Sequence, residues 1–316
     1  MKLKLDIVSM VLALSLVVPG LGMAEGEAAP AVTQAEQAPI ERVVLKNGQM
    51  FRGRILERTA THIRIDLLGA GEMTLRLDKV ESVEIDETVE LTEDGQLYKR
   101  DPNRTRYLYS PSAMSLKAGE GYFSQKELFF SSVAYGLTDN ISILVGSIIP
   151  LLLASDGPFN FITAVKVGDT ISEDQFHVAA GFEAFSFDQD DELWSAGFLF
   201  GSATLGSDRS HVTLSAGKPF SLSSDSRDLG PAIVTLSGNV RVSNSVSLIT
   251  ENWFLAPEVE EENDDGVITN TSREFVHINS IAARIMGEYL AVDVGLIFFK
   301  DAGMPFPWLD FTYNWY

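Results

Sequence analysis

The chain ends in Trp308-Leu-Asp-Phe-Thr-Tyr-Asn-Trp-Tyr316, a stretch in which apolar and polar residues alternate. The apolar positions are Leu309, Phe311, Tyr313 and Trp315, and the polar ones are Asp310, Thr312 and Asn314. Successive side chains of a strand point to opposite faces, so the stretch predicts a strand with one aromatic face and one hydrogen-bonding face. Such a strand suits a barrel wall that is apolar outside and polar inside. We therefore predict that it closes a transmembrane β-barrel.

Strand-like segments recur from residue 103 to the end of the chain. They cover residues 105–115, 122–136, 140–149, 160–168, 175–187, 193–205, 211–220, 231–242, 245–255, 273–287, 289–299 and 307–316. Twelve is an even number, as expected for a bacterial barrel made from one chain. The fold class predicted for residues 103–316 is thus an all-β, twelve-stranded antiparallel barrel, in which the last strand pairs with 105–115.

The connections between these segments alternate in length. Those on one side are mostly tight and cover residues 137–139, 169–174, 206–210, 243–244 and 288. Those on the other side are mostly longer and often acidic, and cover residues 150–159, 188–192, 221–230, 256–272 and 300–306. Short turns at one rim and long loops at the other are typical of outer-membrane barrels, with both termini in the periplasm. One irregularity is expected, a register slip after Glu183, because Phe185 and Phe187 fall on the side of Glu183.

The polar face of the segments predicts the residues that line the interior. They are Lys166, His177, Glu183, His211, Arg241, Glu251, Arg284, Asp293 and Asp310. They could form a charged lumen that selects solutes, or hold a buried catalytic pair such as His177 with Glu183. The interpretation we favour is a plug of paired charges, since a narrow barrel has to fill its interior and buried charges need partners.

Catalysis is not expected from this sequence. None of the four histidines lies in a Gly-x-Ser-x-Gly or His-Glu-x-x-His context, and hydrolysis needs a nucleophile, a base and an orienting group within reach of one another. The pair His211 and Ser215 is the one arrangement that a lipid-modifying barrel enzyme could use. No cofactor is predicted.

The start of the chain predicts secretion. Residues 1–24 combine Lys2 and Lys4 with an apolar run over 7–18 and a small-residue cleavage site, as in a signal peptide. Residues 25–40, rich in Ala, Pro, Glu and Gln, predict a disordered leader. No apolar run of about 18–20 residues follows, so no transmembrane helix is expected. Acidic residues outnumber basic ones by 44 to 24, which argues against a nucleic-acid partner.

Residues 41–86 predict a small β domain, followed by an acidic linker over 87–102. The run Leu45-Lys-Asn-Gly-Gln-Met-Phe-Arg-Gly-Arg-Ile55, with the later Val80-Glu-Ser-Val-Glu-Ile85, resembles the SH3-like and Sm-like small barrels. Four or five short strands in this length bury a core only by curling into a small barrel. Behind a signal peptide, the expectation is a periplasmic interaction module with a protein partner, or a spacer.

The larger part of the chain resembles uncharacterised outer-membrane β-barrel proteins of bacteria, over roughly residues 101–316. The resemblance rests on Arg106-Tyr-Leu-Tyr-Ser-Pro-Ser112, Gly119-Glu-Gly-Tyr-Phe123, Tyr135-Gly-Leu-Thr-Asp-Asn-Ile-Ser142 and the terminal strand. It implies a Gram-negative outer membrane, contact with its lipid and assembly by the barrel-insertion machinery. The expected role is structural, surface interaction or a small-solute channel. A lipid-modifying barrel enzyme and a soluble secreted β-sandwich or carbohydrate-binding protein are the alternatives.

Two further features have a functional and a structural interpretation. The acidic run Glu258–Asp265 offers Glu260, Glu262, Asp264 and Asp265 as oxygen ligands for Ca²⁺ or Mg²⁺, but it lacks calcium-loop spacing, so a solvated loop is favoured. Glycines such as Gly136, which recur inside the segments, could admit a ligand. Curvature of the barrel explains them more simply.

Overall fold

The computed structural model describes residues 39–68, 70–86, 89–91, 97–149, 160–172, 175–189, 192–221, 232–256, 258–262, 268–300 and 302–316. The predicted signal peptide and most of the leader lie outside these ranges. Two compact units follow one another in sequence, and the boundary between them falls between Arg100 and Asp101. Within the described ranges, no helix has the length and apolar character needed to cross a membrane.

The N-terminal unit is a five-stranded antiparallel sheet. Its strands are β1 (Glu41–Leu45), β2 (Met50–Arg58), β3 (His62–Asp66), β4 (Glu72–Arg76) and β5 (Val80–Ile85), with a short 3₁₀ helix over Leu77–Lys79. They are ordered β4-β3-β2-β1-β5. Leu75 of β4 and Val83 of β5 share one hydrophobic core with the buried Val43 and Ile65. The two edges of the sheet therefore curl around a common core.

The predicted linker contains a short two-stranded sheet. Its strands are β6 (Val89–Leu91) and β7 (Leu97–Lys99), and Val89 is opposite Lys99. Asp101, near the end of the predicted linker over 87–102, is buried in the larger unit.

Twelve antiparallel strands of the larger unit close into a barrel. They are β8 (Gly121–Lys126), β9 (Phe130–Gly136), β10 (Ile141–Ile148), β11 (Asn160–Ser172), β12 (Phe176–Gln189), β13 (Glu192–Gly206), β14 (Ser210–Ser221), β15 (Ile233–Ser243), β16 (Val246–Leu255), β19 (Val276–Met286), β20 (Leu290–Phe299) and β21 (Phe306–Trp315). Two short strands, β17 (Glu258–Glu262) and β18 (Ile268–Arg273), form a hairpin between β16 and β19 that was not predicted. The predicted all-β barrel class is confirmed, and a two-sheet sandwich is excluded.

The terminal strand does close the barrel, but its predicted partner was wrong. β21 pairs with β8, and Thr312 is opposite Ser124. Residues 105–115 are no barrel strand: in this segment the only backbone pairing of strand type is an isolated bridge between Arg106 and Pro111. The segment instead folds back on itself, because the amide of Ser112 donates to the carbonyl of Thr105 (3.1 Å).

The predicted segment 122–136 is two strands, not one. β8 ends at Lys126 and β9 begins at Phe130, so the chain reverses over three residues. Glu127 and Leu128 adopt φ values of +52° and +62° there, which non-glycine residues rarely adopt. Glu127 is held by β21, because its amide donates to the Leu309 carbonyl (2.8 Å) and its carboxylate accepts from the Leu309 amide (2.6 Å). The predicted strand over 105–115 is absent and the predicted strand over 122–136 is two strands, so the number of barrel strands remains twelve.

The register of the wall follows the predicted alternation. Asp293 of β20 is opposite both Arg284 of β19 and Asp310 of β21, and all three face inward. The predicted register slip in β12 is wrong, since β12 pairs with β11 continuously from Phe187 to His177. Phe185 therefore faces the interior, where it packs with other inward aromatic and aliphatic side chains.

The outward face carries apolar side chains around the whole barrel. Between about 40 and 60% of each of these side chains is exposed: Val133, Val145, Leu199, Leu214, Leu236, Leu248, Ile281 and Val294. We call this set the apolar belt. Aromatic side chains lie near both ends, such as Tyr289 beside Tyr313 (6.2 Å between ring centroids) and Phe254 beside His277 (5.4 Å).

The two rims differ in their connections. One rim, the turn rim, has connections of two to four residues where they are fully described: 137–140, 207–209, 244–245 and 287–289. The opposite rim, the loop rim, carries the turn at 127–129 and the β17–β18 hairpin, and the predicted long loops over 150–159 and 221–230 lie wholly or mostly outside the described residues. β8 begins and β21 ends at the turn rim, so the segment that precedes β8 reaches the barrel from that side.

Candidate functional site: the plugged lumen

Residues 101–120, here called the plug, fold inside the barrel. Of these twenty residues only Lys117 and Ala118 are exposed. The plug is a hairpin-like loop, since the amide of Ser112 donates to the carbonyl of Thr105 (3.1 Å) and that of Tyr107 to the carbonyl of Ser110 (2.9 Å). Its tip is therefore Tyr107–Ser110.

The plug starts and ends at the turn rim. The amide of Asp101 donates to Asp208 in the turn after β13 (3.3 Å). At the other end, the amide of Ala118 donates to Asp139 in the turn after β9 (3.0 Å). The tip therefore points toward the loop rim, and both ends of the plug stay on one side of the barrel.

Glu251 holds the tip. One of its carboxylate oxygens, Oε2, accepts from the amides of Leu108 (2.7 Å), Tyr109 (2.9 Å) and Ser110 (3.0 Å). The other oxygen accepts from the indole of Trp253 (3.0 Å). Glu251 is completely buried, and four donors supply the hydrogen bonds that a buried carboxylate requires.

A second group of contacts joins the plug to the closing strand. The guanidinium of Arg106 forms an ion pair with Asp310 (2.7 Å) and donates to the Thr312 hydroxyl (2.6 Å). It also lies over the ring of Tyr122, 5.3 Å from the centroid. Asp310 in turn accepts from Ser124 of β8 (2.9 Å). The pair of strands that closes the barrel thus also holds the plug.

Arg284 forms a third group of contacts. It makes a two-pronged pair with Asp293, at 2.8 and 2.9 Å, and lies 3.3 Å from Asp101 at the start of the plug. It also donates to the Tyr107 carbonyl at 2.9 Å. Burial alone would raise the pKa of Asp101, but Arg284 and the amide of Asn103 outweigh burial, so this pKa lies below its ordinary value. Asp101 therefore carries its charge at neutral pH.

Two of the remaining predicted interior residues, Lys166 and Glu183, bind the plug. Lys166 donates to three plug carbonyls, those of Thr105, Ser112 and Met114, at 2.7 to 3.1 Å. Glu183 accepts from the Tyr109 hydroxyl at 2.6 Å.

The other three predicted interior residues, His177, His211 and Arg241, lie toward the turn rim. The imidazole Nδ1 of His177 lies 3.0 Å from the Thr170 hydroxyl, and that of His211 lies 2.9 Å from the Ser207 carbonyl. Arg241 donates to the Asn244 carbonyl at 3.4 Å.

Neither candidate catalytic pair is brought together. His177 and Glu183 are six residues apart on β12, which puts them roughly 20 Å apart along the strand. His211 and Ser215 are four residues apart on β14, roughly 13 Å. The Ser215 hydroxyl donates instead to Ser202 at 2.8 Å.

The acidic metal candidates are only partly described. Asp264 and Asp265 lie outside the described residues, and Glu260 and Glu262 belong to β17, where the backbone alone is described.

Three plug residues and one wall residue of the site were missed from the sequence: Asp101, Arg106, Tyr109 and Lys126. Two signals were available in the segment assigned as the first strand, namely Pro111 and the lack of alternation around Arg106. Glycines were also misread at one position. A Cβ on Gly136 would lie 2.1 Å from the Lys117 carbonyl oxygen. The missing side chain at this position therefore leaves space for the plug, and curvature of the barrel is not the whole explanation.

The fold and the site together define a β-barrel whose lumen is closed by an internal hairpin. No family model matches the chain, and no curated protein matches it either. Similar solved structures include a loop-deletion mutant of OmpT, an outer membrane protein of Vibrio cholerae, at 10% identity and a TM-score of 0.36, over 88% of this chain and 97% of that one. OmpF of Salmonella typhi in complex with daunomycin is similar at 8% identity and a TM-score of 0.32, over 88% and 96%.

Proposed function

We propose that the chain is an outer-membrane β-barrel of structural or surface-interaction role, closed at rest and without catalytic activity. The observation that carries the proposal is the plug. Its tip lies inside the lumen, and its contacts reach several strands of the wall, among them β11 through Lys166, β16 through Glu251 and β21 through Asp310. We expect a lumen that is occupied in this way to block the passage of water and solutes.

The membrane location rests on the apolar belt. Monomeric soluble proteins rarely expose a continuous apolar surface of more than a few hundred Å², whereas a bilayer solvates such a surface. Because the barrel is closed, each of its strands pairs on both sides. The backbone N–H and C=O groups then have partners within the wall, which is necessary in the hydrocarbon of a bilayer. Aromatic side chains near both rims match the girdles of membrane barrels. Outer-membrane lipid and the barrel-insertion machinery are the partners that follow.

The N-terminal unit is proposed to be an interaction module of SH3-like or Sm-like type. It would lie in the periplasm after removal of a signal peptide over residues 1–24. The curled five-stranded sheet supports this proposal. A periplasmic protein is the partner proposed for this unit, since the acidic balance of the whole chain argues against nucleic acid, which would require clustered basic residues.

A gated channel for small solutes is the second candidate. One observation favours it: the plug begins and ends at the turn rim and its first residue, Asp101, directly follows the N-terminal unit in sequence. A partner bound to that unit would thus be connected to the plug through the chain itself.

Conductance in planar bilayers tests the proposed function. The purified chain, refolded and inserted into a lipid bilayer, should show no steady current above the background. A stable ohmic current in the unaltered chain would overturn the closed state. Current that appears only in the presence of a partner of the N-terminal unit would favour the gated channel.

A further inference from the structure

A small cavity lies between the plug and the barrel wall. Its volume is about 80 Å³, and its lining includes Arg106 and Tyr109 of the plug and Lys126, Lys166 and Glu183 of the wall. One water needs roughly 10–15 Å³ measured in this way. The cavity therefore has room for roughly five to eight waters, or for a small ion together with some of them.

The ammonium group of Lys126 has no acceptor in this cavity. The side chain is 5% exposed and lies between the rings of Tyr109 and Phe130, 5.4 and 5.2 Å from their centroids. Among the residues that the structure describes, no oxygen lies within hydrogen-bond or ion-pair distance of Lys126. The rings attract the charge, but they leave its three donors without oxygen partners.

Lys166, a second buried lysine of the same wall, holds the plug and serves as a comparison for Lys126. Its ammonium donates to three carbonyls, so all three of its donors have acceptors. A buried charge without such partners is costly. The difference between the two lysines indicates that an acceptor for Lys126 comes from outside the chain.

The charges of the lining define what that acceptor is. Asp310 offsets Arg106 in an ion pair of 2.7 Å. Glu183 is the one carboxylate in the lining, and its described hydrogen bond comes from the Tyr109 hydroxyl (2.6 Å) rather than from a lysine. Lys126 is therefore without an ion-pair contact among the described residues, and an anion would supply both a charge partner and an acceptor. The hydroxyls of Tyr122 and Ser142 belong to the same lining and supply further donors.

We propose that this cavity binds a small monovalent anion of halide or formate size, with Lys126 as its charge partner. The anion lies, together with water, between plug and wall and satisfies the Lys126 ammonium. It thereby stabilises the closed barrel. The proposed function assigns no ligand, so this site goes beyond it.

Bromide is the probe for this site. The full chain, refolded in detergent, is heated in sodium bromide and in sodium gluconate at equal ionic strength, and the midpoint of barrel unfolding is read from gel mobility. Gluconate is the comparison anion because it is much larger than bromide. The midpoint should rise by a few degrees in bromide, because a ligand that binds the native state alone stabilises it. In Lys126→Met the rise should vanish, and in Lys300→Met, which removes an exposed lysine, it should remain.

Two results would overturn the proposal. One is a midpoint in the unaltered chain that does not differ between bromide and gluconate. The other is a rise of equal size in Lys126→Met. If Lys126→Met fails to fold, crystals of the unaltered chain grown in bromide decide the question. An anomalous peak next to Lys126 Nζ supports the site, and a cavity that shows only water rejects it.

Discussion

Arg106 of the plug lies 2.7 Å from Asp310 of the closing strand, and neither side chain is more than 4% exposed. This pair joins the two features that set the state of the barrel, its closure and its filled lumen. Glu251 on β16 and Arg284 on β19 also hold the plug, through the tip amides and Asp101. The plug is thus attached to the wall by charges on several strands.

Breaking the Arg106–Asp310 pair on one side should destabilise the barrel more than removing both partners. Arg106→Met leaves a buried carboxylate without its cation, which typically costs about 3–5 kcal/mol, whereas loss of both charges is often nearly neutral. The free energy of unfolding, measured by denaturant titration in phospholipid, should be lowest in Arg106→Met and should recover most of the loss in Arg106→Met/Asp310→Leu. Additive losses in the double variant would contradict the pairing.

Removal of the Glu251 carboxylate should release the tip of the plug. Glu251→Ala leaves the amides of Leu108, Tyr109 and Ser110 without an acceptor, and hydrogen bonds to charged groups are each worth about 1.5–3 kcal/mol. Planar-bilayer recordings of this variant should show bursts of current. Glu274→Ala, which removes an exposed acid paired with Lys300, should stay silent. Silence in both variants would mean that Glu251 does not hold the plug.

Gly136 should tolerate no side chain. A Cβ there would meet the Lys117 carbonyl oxygen at 2.1 Å, whereas a Cβ on Gly201 would meet nothing closer than 3.9 Å. Overpacking typically costs about 1–3 kcal/mol, so Gly136→Ala should lower the midpoint of heat unfolding by several degrees while Gly201→Ala leaves it unchanged. Equal midpoints in the two variants would place residue 117 away from the wall.

A charged substitution in the apolar belt should lower the stability of the barrel in phospholipid. Leu199 lies near the middle of β13 and is 59% exposed. Leu199→Arg should cost about 2–4 kcal/mol of folding free energy in phospholipid vesicles, as for lipid-facing positions near the bilayer centre. Leu56→Arg, at a 46% exposed position of the N-terminal unit, should cost almost nothing. A value near zero at residue 199 would show that this face lies in water.

The sequence was informative where a pattern is local. Alternation in residues 308–316 assigned the faces of β21 correctly, and the register of β19 and β20 placed Arg284 and Asp293 inside. The partner of β21 was not predictable in this way. The turn over Glu127 and Leu128 carries no glycine, asparagine or proline, and it depends on bonds to Leu309, far along the chain. Without that turn, residues 105–115 were needed as a twelfth strand.

The contacts of the lumen were out of reach for a related reason. The sequence pattern shows that Glu251 and Lys166 face inward, but not what they meet there. Their partners are backbone groups of the plug, and backbone groups leave no signature in the sequence. The prediction of paired charges in the interior therefore identified residues of the barrel wall. It did not identify the plug residues that they contact.

A disulfide between the plug and the wall tests the central claim most directly, because the chain contains no cysteine. The hydroxyl oxygens of Ser110 in the tip and Ser237 on β15 are 2.9 Å apart. Ser110→Cys/Ser237→Cys should therefore cross-link on oxidation, as peptide mass spectrometry would show. Ser186→Cys/Ser195→Cys, a pair on neighbouring wall strands with hydroxyls 2.8 Å apart, is the control and should cross-link wherever the plug lies. A cross-link in the control pair and none between residues 110 and 237 would contradict the plugged lumen.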